Sequence, residues 1–496
     1  MADEVHSESF RDSLGIVEKS GARKWVYPKE PKGRFTNARN LFSGILLLIL
    51  FGMPFVKVNG HPFMLFDVLN RKFILFGVAF GPQDFYLLGL AMITTIVFIF
   101  LFTAVFGRLF CGWVCPQTVF MESVFRKIDY WVEGDHKAQR RLNESPWTGA
   151  KVFRKGTKYL IYFVISFLTA NMLLAWIIGI DALTVIVTAP VQEHIAGFTA
   201  MMLFTGLFYW IFIWFREQAC ILVCPYGRLQ GVLLDPNSIV IAYDNVRGEP
   251  REFLKRNTVR NAGDCIDCKE CVVVCPTGID IRNGTQLECV NCTACIDACD
   301  HVMDKIGKPR GLIRYDSLNG IRTSVRKIFT PRVIGYSVVQ LVLLTLLTVF
   351  LLNRSELDVT ILRTPGMFYQ EQQDGKVSNL YDMKVVNKTF EPMDVEVRLL
   401  NAEGEVKLLG DKKDVPPQEA ALTKMFVLLK KDHITMMNTP LQFGVFVGGR
   451  EVQRITTSFL GPVEKRHAPA AKESDHGGAD EHRDHDGTNE KKERHE

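Results

Sequence analysis

Residues 265–276 read CIDCKECVVVCP, and residues 289–299 read CVNCTACIDAC. Both stretches have the spacing Cys-x2-Cys-x2-Cys-x3-Cys, and Pro276 follows the first, which is the bacterial ferredoxin pattern for a pair of 4Fe–4S clusters. In this pattern three thiolates wrap one face of a cluster, and the fourth reaches across to the other cluster. The two stretches therefore predict a small α+β ferredoxin-like insert with two 4Fe–4S clusters, in a protein that transfers single electrons.

The crossing of the fourth cysteine sorts the eight thiols into two predicted ligand sets. The sets are Cys265, Cys268, Cys271 and Cys299 for one cluster, and Cys289, Cys292, Cys295 and Cys275 for the other. Zinc knuckles and disulfide frameworks also use closely spaced cysteines. A zinc knuckle does not need a third cysteine at the next step, however, and disulfides are not expected where thiols are kept reduced. Asp300 replaces the proline that usually ends the second motif, which loosens the loop after Cys299.

Five long apolar runs predict an integral membrane protein. They are Leu41–Val56, Phe85–Phe106, Tyr159–Ile180, Ile195–Phe215 and Val333–Leu352. Each approaches the roughly 20 residues that cross a bilayer, and none contains a charged residue. Buried helices of a large soluble protein are the alternative, but five uncharged runs of this length argue against it. The net charge of +5 in 496 residues is too small to indicate a nucleic-acid partner, so the expected surroundings are the lipid bilayer.

The distribution of Lys and Arg predicts the orientation of these crossings. The arm before the first crossing and the loop after the second are rich in both, whereas the loop between the third and fourth has Asp181 and Glu193 and no basic residue. Loops rich in Lys and Arg stay in the cytoplasm, although Arg71 and Lys72 in the first outer loop oppose this trend. We expect a multi-pass protein of the bacterial inner membrane, with a cytoplasmic N-terminus and ferredoxin-like insert. Everything after Leu352 is then periplasmic, if the cell is Gram-negative.

The second and fourth apolar runs each end in the motif Cys-x3-Cys-Pro. Its cysteines are Cys111, Cys115, Cys220 and Cys224. Since two crossings return the chain to its starting side, both pairs are expected at the cytoplasmic boundary, and their closeness in space is a hypothesis. Cysteines at i and i+4 share one face of a helix, and a following proline pushes the second cysteine toward an extended conformation. Thiolate sites of this kind suit Cu(I), zinc or an iron–sulfur cluster, and inert boundary cysteines are the alternative.

The remainder of the chain changes character after the last apolar run. Residues 353–462 alternate apolar and polar side chains between turn signals, which predicts an all-β sandwich of about seven short strands. Residues 463–496 are charged and hydrophilic, and we expect them to be disordered. Their histidines are His467, His476, His482, His485 and His495. Histidine-rich tails can bind metal, but a solvated tail is the preferred interpretation here.

The order of these parts, over residues from about 35 to 462, resembles the CcoG family, also called FixG or RdxA, of cytochrome c oxidase accessory proteins. NapH-like membrane polyferredoxins share single parts of it. The resemblance implies a role in assembling the cbb-type oxidase, in which Cu(II) is reduced to Cu(I) for the oxidase's copper site, and an immunoglobulin-like outer domain. It implies that Cys111, Cys115, Cys220 and Cys224 bind and reduce copper. The implied electron source is a cytosolic donor acting through the clusters, and the implied partners are a copper chaperone or transporter and oxidase assembly factors.

These interpretations describe a multidomain membrane protein with a five-helix all-α transmembrane bundle, a ferredoxin-like insert and an immunoglobulin-like sandwich. The predicted regions are a cytoplasmic arm (1–40), a four-helix membrane region (41–232), the insert (233–332), the fifth crossing (333–352), the sandwich (353–462) and the tail (463–496). The predicted function is membrane-bound iron–sulfur electron transfer with cupric reductase activity. The alternatives are a non-catalytic conduit to a membrane oxidoreductase or quinone, and an assembly scaffold. The chain could also associate with a second copy of itself as a homodimer.

Overall fold

The computed structural model describes residues 16–18, 20, 22–68, 70–253, 262–409, 414–434 and 436–462. The chain divides into two compact units. The first comprises Met1–Asp358, Val386–Met393 and Pro416–Ala420, and the second comprises Val359–Val385, Asp394–Val415 and Ala421–Glu496. The predicted disordered, histidine-containing tail lies outside the described residues, as does the beginning of the predicted N-terminal arm.

Within the described residues, five helical segments of the first unit are long and apolar enough to cross a membrane. They are Arg34–Phe55, Pro82–Phe106, Gly149–Ile178, Ile195–Phe215 and Pro331–Leu352. Large apolar side chains on them face outward, and Leu48, Leu203 and Leu352 are 73%, 76% and 80% exposed. Apolar surface of this extent requires a lipid environment. The five predicted crossings are confirmed, and the chain is an integral membrane protein.

The first spanning helix begins at Arg34, earlier than the predicted Leu41. Asp297, which is distant in sequence, accepts hydrogen bonds from the backbone N–H groups of Phe35 and Thr36 at 3.1 and 2.7 Å. A carboxylate at a helix N-terminus satisfies N–H groups that have no partner inside the helix, and it interacts favourably with the helix dipole. The apolar run alone therefore underestimates this helix, because the helix is capped by a residue of the ferredoxin-like insert.

Short helices follow the spanning helices of the first unit and continue into the insert. The described α-helices are α1 (Arg34–Gly52), α2 (Phe85–Phe106), α3 (Leu109–Trp113), α4 (Pro116–Thr118), α5 (Arg126–Glu133), α6 (His136–Glu144), α7 (Gly149–Ile178), α8 (Ile180–Thr188), α9 (Ile195–Trp210), α10 (Pro225–Leu233), α11 (Asn245–Gly248), α12 (Glu270–Val273), α13 (Ala294–Lys305), α14 (Leu318–Thr323) and α15 (Pro331–Leu352). Turns of π-helix occupy Val119–Phe125, Ile211–Phe215 and Ala219–Val223.

Aromatic side chains hold the spanning helices to the segment that follows the first Cys-x3-Cys-Pro motif. Helix α2 packs against α15, and α7 packs against α9. Phe125 stacks on Phe212 with ring centroids 4.5 Å apart, and Tyr162 of α7 lies 4.6 Å from Phe125. Close aromatic packing of this kind fixes where the chain emerges from the spanning helices.

Short antiparallel strands complete the first unit. They are β1 (Lys57–Val58), β2 (His61–Pro62), β3 (Leu65–Asp67), β4 (Lys72–Leu75) and β5 (Val78–Phe80) between α1 and α2, and β6 (Val240–Tyr243) and β7 (Ile313–Asp316) in the ferredoxin-like insert. Strands β6 and β7 pair with each other and enclose α12 and α13 along the chain. The insert is therefore α+β, as predicted.

The two cysteine motifs of the insert fold alike because the same positions in each have left-handed backbone conformations. Asp267 and Lys269 have φ values of 51° and 58°, and Asn291 and Thr293 have values of 54° and 68°. These residues flank the second cysteine of each motif, so the chain bends sharply on both sides of that thiol. Lys269 and Thr293 are also the N-cap residues of α12 and α13. The short loops are thus a local property of each motif.

Residues 357–460, most of which belong to the second unit, form an all-β, immunoglobulin-like domain built from two sheets. Its strands are β8 (Leu357–Arg363), β9 (Gln370–Glu371), β10 (Lys376–Asn387), β11 (Met393–Leu399), β12 (Gly404–Leu409), β13 (Asp414–Val415), β14 (Ala420–Lys430), β15 (Asn438–Val447) and β16 (Arg450–Leu460). One sheet has the order β12-β14-β10-β8 with β9 on β10, and the other has the order β13-β11-β15-β16. Buried side chains such as Tyr381, Val427 and Phe443 alternate with exposed ones, which matches the predicted pattern.

Candidate metal centres

Four thiols of the ferredoxin-like insert line one cavity of about 360 Å³. They belong to Cys265, Cys268, Cys271 and Cys299. All residues that line this cavity belong to the insert, and we call it the distal pocket. Cys299 reaches it from α13, and the thiols that act on Cys299 electrostatically are those of the other three cysteines. Cys268 is exposed to solvent, so the distal pocket approaches the surface at that residue.

Four other thiols line a second cavity of about 330 Å³. They belong to Cys275, Cys289, Cys292 and Cys295. We call it the proximal pocket, because α1 and the segment after α2 contact its walls. Burial raises the pKa of Cys289 to about 12 and the pKa of Cys292 to about 11. Cys271 lines both cavities, so the two pockets are adjacent.

The chemistry of both pockets fits an iron–sulfur cluster. Soft thiolates are the ligands that these clusters prefer, and each pocket presents four sulfurs in largely apolar surroundings. A thiol must lose its proton to become a ligand, and burial opposes that loss in the absence of a cation. The structure brings together both predicted ligand sets, including the crossed positions of Cys275 and Cys299. These eight residues would hold the two clusters, and their assignment as ligands stays a prediction.

The Cys-x3-Cys-Pro motifs lie directly after the ends of α2 and α9 and have a common backbone form. The N–H of Cys115 donates to the carbonyl oxygen of Phe110 at 3.0 Å, and the N–H of Cys224 donates to that of Ala219 at 2.9 Å. These are i to i−5 bonds of the π type, which occur often at functional sites. Both second cysteines are extended, with ψ values of 123° and 110°. The predicted break before proline is confirmed.

Because of this break, the two cysteines of each pair do not lie in one continuous helix. Cys111 lies within α3 and Cys220 within a π-helical turn, whereas Cys115 and Cys224 lie beyond the ends of those turns. The physical reason is the proline ring, which excludes a helical conformation for the residue before it. The second cysteine of each pair is therefore separated from the first by a change in backbone direction.

The two pairs nevertheless lie close to each other. Burial raises the pKa of Cys111 to about 11, with Cys115 and Cys224 among the groups that act on it. Burial raises the pKa of Cys220 to about 12, and the thiols that act on it are those of the other three cysteines. In the described part of the chain, no three His, Cys, Asp or Glu side chains form a ready-made site for one metal ion.

The first motif packs directly against the proximal pocket. A methyl group built on Gly112 would lie 2.5 Å from the carbonyl oxygen of Val290 and 2.6 Å from that of Asn291. Only glycine permits this approach, since real side-chain carbons do not come so close to backbone oxygens. Trp113 donates from Nε1 to the Tyr315 hydroxyl at 3.2 Å, and that hydroxyl donates to the Asn291 carbonyl at 3.2 Å. The chain beside Cys111 therefore touches the loop that carries two proximal thiols.

The second motif borders a cavity of about 350 Å³ that also reaches the insert. Cys220 lines this cavity together with Pro276 and Thr277, which follow the proximal thiol Cys275. The Sγ atom of Cys275 lies 3.3 Å from Oγ1 of Thr277. Cys220 of the second pair therefore also lies near the proximal pocket, across a cavity and not by direct packing.

Comparison with known proteins identifies the family. One family model, described as a 4Fe–4S dicluster domain, matches residues 215–318, and one described as a 4Fe–4S binding domain matches residues 88–134. A model of the IG-like fold at the C-terminus of FixG matches residues 347–462. Protein RdxB of Cereibacter sphaeroides is 34% identical over 82% of this chain and 90% of its own length. The chain belongs to the FixG/RdxA family.

Two further relatives place this FixG/RdxA member among ferredoxin-type membrane proteins. The nitrogen fixation protein FixG of Rhizobium meliloti is 32% identical over 74% of this chain and 77% of its own length. The ferredoxin-type protein NapH of Escherichia coli is 24% identical over 50% of this chain and 79% of its own length. With the five spanning helices, these similarities identify a membrane iron–sulfur electron-transfer protein.

In this FixG/RdxA member, two buried arginines beside the thiols have a role that sequence reasoning missed. Arg39 of α1 and Arg108, which precedes α3, are 4% and 3% exposed, but in the sequence they count only as charges that orient the crossings. Gln230 of α10, which no sequence motif marks, accepts hydrogen bonds from Cys111 Sγ at 3.0 Å and Arg108 Nε at 3.2 Å. One available signal was that an arginine precedes the first cysteine of both motifs, as Arg108 and Arg216.

A buried network of ion pairs surrounds the second arginine of that pattern. Arg216 pairs with Asp129 at 2.6 Å, and Lys158 pairs with the same carboxylate at 2.8 Å. Burial alone would raise the pKa of Asp129, but these two cations hold it below its usual value. Arg126 pairs with Glu217, the residue after Arg216. The second motif of this FixG/RdxA member is thus anchored by mutually compensating charges.

Proposed function

We propose that electrons pass from a cytosolic donor through the distal and then the proximal pocket to Cys111, Cys115, Cys220 and Cys224, where Cu(II) is reduced to Cu(I) for assembly of a cbb-type cytochrome c oxidase. The observation that supports this path most strongly is the packing of Gly112 against the carbonyl groups of Val290 and Asn291. This contact gives a short route through protein atoms from the thiols of the proximal pocket to the thiols of the two Cys-x3-Cys-Pro motifs, which we call the boundary thiols.

The residues along this path have distinct roles in the proposal. The exposed Cys268 marks the face where a donor would approach, and Cys271, which lines both cavities, connects the two pockets. Clusters bound there supply one-electron transfer. The boundary thiolates bind copper, which accepts one electron as Cu(II) becomes Cu(I), and soft sulfur stabilises the cuprous product.

The same proposal assigns an orientation and partners. The arm before α1 and the ferredoxin-like insert lie in the cytoplasm, since Lys and Arg are concentrated in the arm and in the loop after α2. The β-sandwich then lies in the periplasm, where its lack of cysteine suits an oxidising compartment. A copper chaperone or transporter supplies the ion, and assembly factors of the oxidase receive it.

A second candidate function is favoured by one of the family matches. The 4Fe–4S binding domain model covers residues 88–134, which include Cys111 and Cys115 but none of the eight insert cysteines. In this reading the boundary thiols hold a further iron–sulfur group. The protein is then a non-catalytic conduit that passes electrons to a membrane oxidoreductase or quinone.

Metal analysis of the protein purified without oxygen distinguishes the two candidates. The full chain, its Cys111→Ser/Cys220→Ser double variant and a Met202→Leu control are assayed for iron, sulfide, bound copper and dithionite-driven Cu(II) reduction. We expect wild type and control to contain about eight irons per chain and to bind and reduce copper. The double variant should keep its iron and lose the copper chemistry.

Other outcomes have equally definite meanings. Unchanged copper binding and reduction in the double variant would overturn the cupric reductase proposal. Iron above the content of two clusters in wild type, lost in the double variant together with electron flow to a quinone analogue, would support the conduit instead.

A further inference from the structure

We propose that Arg39 and Arg108 make the proximal pocket the more easily reduced of the two, so that an electron entering at the distal pocket is drawn toward the Cys-x3-Cys-Pro thiols. This inference rests on the cluster ligation in the proposed function, but not on copper being the final acceptor. The two arginines would be positioning residues that act through the charge they hold beside the proximal thiols.

Arg39 reaches the proximal pocket from the first spanning helix. Its Nη1 donates to the carbonyl oxygen of Cys292 at 2.8 Å, and its side chain is buried. This hydrogen bond holds the guanidinium charge against the backbone of Cys292, whose thiol lines the proximal pocket. Asp297 accepts hydrogen bonds from the backbone N–H and the Oγ1 hydroxyl of Thr36 at 2.7 Å each. These bonds dock α1 on the insert and hold Arg39 beside Cys292.

Arg108 reaches the same pocket from the boundary side. Its Nη1 donates to the carbonyl oxygen of Leu287, two residues before the proximal thiol Cys289. Its Nε donates to the Gln230 side-chain oxygen that also accepts from Cys111 Sγ, and Arg108 and Cys289 line one cavity. One buried guanidinium therefore lies between the proximal pocket and the boundary cysteines.

The charges of these two arginines are not cancelled by nearby carboxylates. Among the residues that the structure describes, neither Arg39 nor Arg108 forms an ion pair with an Asp or Glu side chain, and their hydrogen-bond acceptors are carbonyl and amide oxygens. Glu122, which borders the neighbouring cavity, is paired with Arg126 at 2.9 Å. The carboxylates of Glu288 and Asp297 are also buried near the proximal thiols, but neither forms an ion pair with Arg39 or Arg108 among the described residues, so both guanidinium groups act on the pocket as unpaired cations.

The charged groups at the distal pocket are arranged differently. Arg282 lines it, but this guanidinium is paired with both Asp280 and Asp267. Asp300, next to Cys299, is paired with Arg34 at 3.4 Å, and the remaining cation that lines the pocket is Lys269. Solvent exposure at Cys268 also stabilises a negative charge that is added to the distal pocket. Water screens charge at an exposed edge, however, whereas two fixed charges in a buried site act at nearly full strength.

Reduction adds one negative charge to whichever pocket accepts the electron. A buried cation nearby lowers the free energy of the reduced form, and net charge and hydrogen bonding are among the factors that set cluster potentials. The unpaired charges of Arg39 and Arg108 therefore favour electron residence at the proximal pocket. Since Arg108 and Cys111 share the Gln230 side chain as acceptor, the same charge also lies beside a boundary thiol that receives the electron next.

The test is a redox titration of the full chain in detergent without oxygen, followed by electron paramagnetic resonance. The variants are Arg39→Gln, Arg108→Gln, the charge-retaining Arg39→Lys and Arg108→Lys, and Arg228→Gln as a control at an exposed arginine. A Cys268→Ser variant, which alters one distal ligand, identifies the distal signal. Iron content, measured for each variant, verifies that both clusters are present.

We expect the proximal signal to be reduced first in wild type. Each Gln variant should shift electron partition between the two clusters at least tenfold toward the distal one, which corresponds to about 59 mV for a one-electron couple. The Lys variants should recover most of this shift, and Arg228→Gln should show none. Recovery by Lys separates an effect of charge from an effect of packing.

Three results would overturn the inference. The first is reduction of the distal cluster before the proximal cluster in wild type. The second is an equal shift of the electron partition in the Gln and Lys variants. The third is an equal change in the potentials of both clusters in a Gln variant. If a Gln variant does not fold, the wild-type order and the Lys variants still decide the question. If the cluster potentials are as expected but the protein does not reduce copper, the cupric reductase proposal alone is contradicted. A preparation that contains no iron would contradict both that proposal and the present inference.

Discussion

The two Cys-x3-Cys-Pro repeats have the same backbone form but different surroundings. In each, the N–H of the second cysteine, Cys115 or Cys224, bonds to the carbonyl five residues earlier, and proline then starts a new helix. An arginine precedes each motif, and both arginines are buried. Arg108 bonds to uncharged oxygens of Gln230 and Leu287, whereas Arg216 pairs with the carboxylate of Asp129.

This difference shows that one sequence motif can have two physical roles. A guanidinium whose bonds go to neutral oxygens keeps its charge available for the thiols around it. A guanidinium paired with a carboxylate contributes cohesion, but little net field. In the first repeat the arginine is thus an unpaired cation beside the proximal pocket, and in the second it is part of an ion-pair network, although both repeats have the same pattern of residues.

The largest effect is expected where the second repeat loses its anchor. Asp129→Asn leaves the buried charges of Arg216 and Lys158 without their shared carboxylate, and breaking a buried ion pair in this way costs about 3–5 kcal/mol. We expect a large fall in the thermal and chemical unfolding midpoints in detergent. Glu144→Gln, at the exposed ion pair with Arg140, is the control and should leave both midpoints nearly unchanged.

The pH dependence of this loss has a definite sign. The pKa of Asp129 is lowered in the folded protein, so its contribution is complete above the unfolded value of about 3.9 and is lost only as the pH falls through the lower folded value. The stability difference between wild type and Asp129→Asn should therefore be constant between about pH 5 and pH 8. A difference that grows across this range would contradict the ion-pair account.

An intermediate effect is expected where the first repeat touches the proximal pocket. Gly112→Ala places a methyl group against two backbone oxygens, and overpacking of this kind costs about 1–3 kcal/mol. Because the loop with Val290 and Asn291 must move away, electron transfer to the boundary thiols should also slow in stopped-flow measurements. The corresponding residue of the second repeat is Ile221, which shows that only the first repeat needs glycine here.

Gly156→Ala in α7 is the matched control for this change. Nothing lies within 4 Å of a methyl group built on Gly156, and alanine favours a helix over glycine by up to about 1 kcal/mol. Its stability should be unchanged or slightly higher. Equal stability and equal transfer rates for Gly112→Ala and Gly156→Ala would show that the close contact with the proximal pocket has no importance.

The smallest effect is expected from the hydrogen bonds beside that contact. Tyr315→Phe removes the hydroxyl that joins Trp113 to the Asn291 carbonyl, and the loss should cost about 1 kcal/mol. Tyr86→Phe, at a tyrosine that is 53% exposed, is the control for thermal unfolding. If both variants unfold at the same temperature, the link between the first repeat and the insert does not depend on this hydroxyl.

Much of the fold could be predicted because it depends on local patterns. The spans follow from uncharged apolar length, and the sandwich follows from alternation with turn signals. The loops around Cys268 and Cys292 follow from spacing alone, since the residues that bend there are part of each motif. The convergence of Cys299 with the first motif was also predictable, because the crossed arrangement belongs to the pattern itself.

The early start of α1 and the charges at the proximal pocket were not predictable in this way. Asp297 caps α1 from 261 and 262 positions away, and Arg39 meets the Cys292 carbonyl across 253 positions. A pattern of Lys and Arg near a membrane span predicts orientation. It does not separate a solvated arginine from one that enters a metal pocket.

The sequence by itself determined which thiols are available, which segments cross the membrane and which region forms the sandwich, because spacing and periodicity are properties of neighbouring residues. The tertiary structure alone decided that Gly112 touches Val290 and that the charge of Arg108 is left without a carboxylate partner while the charge of Arg216 is compensated by Asp129. The physical reason is that the field and the packing at a buried site depend on partners distant in the chain.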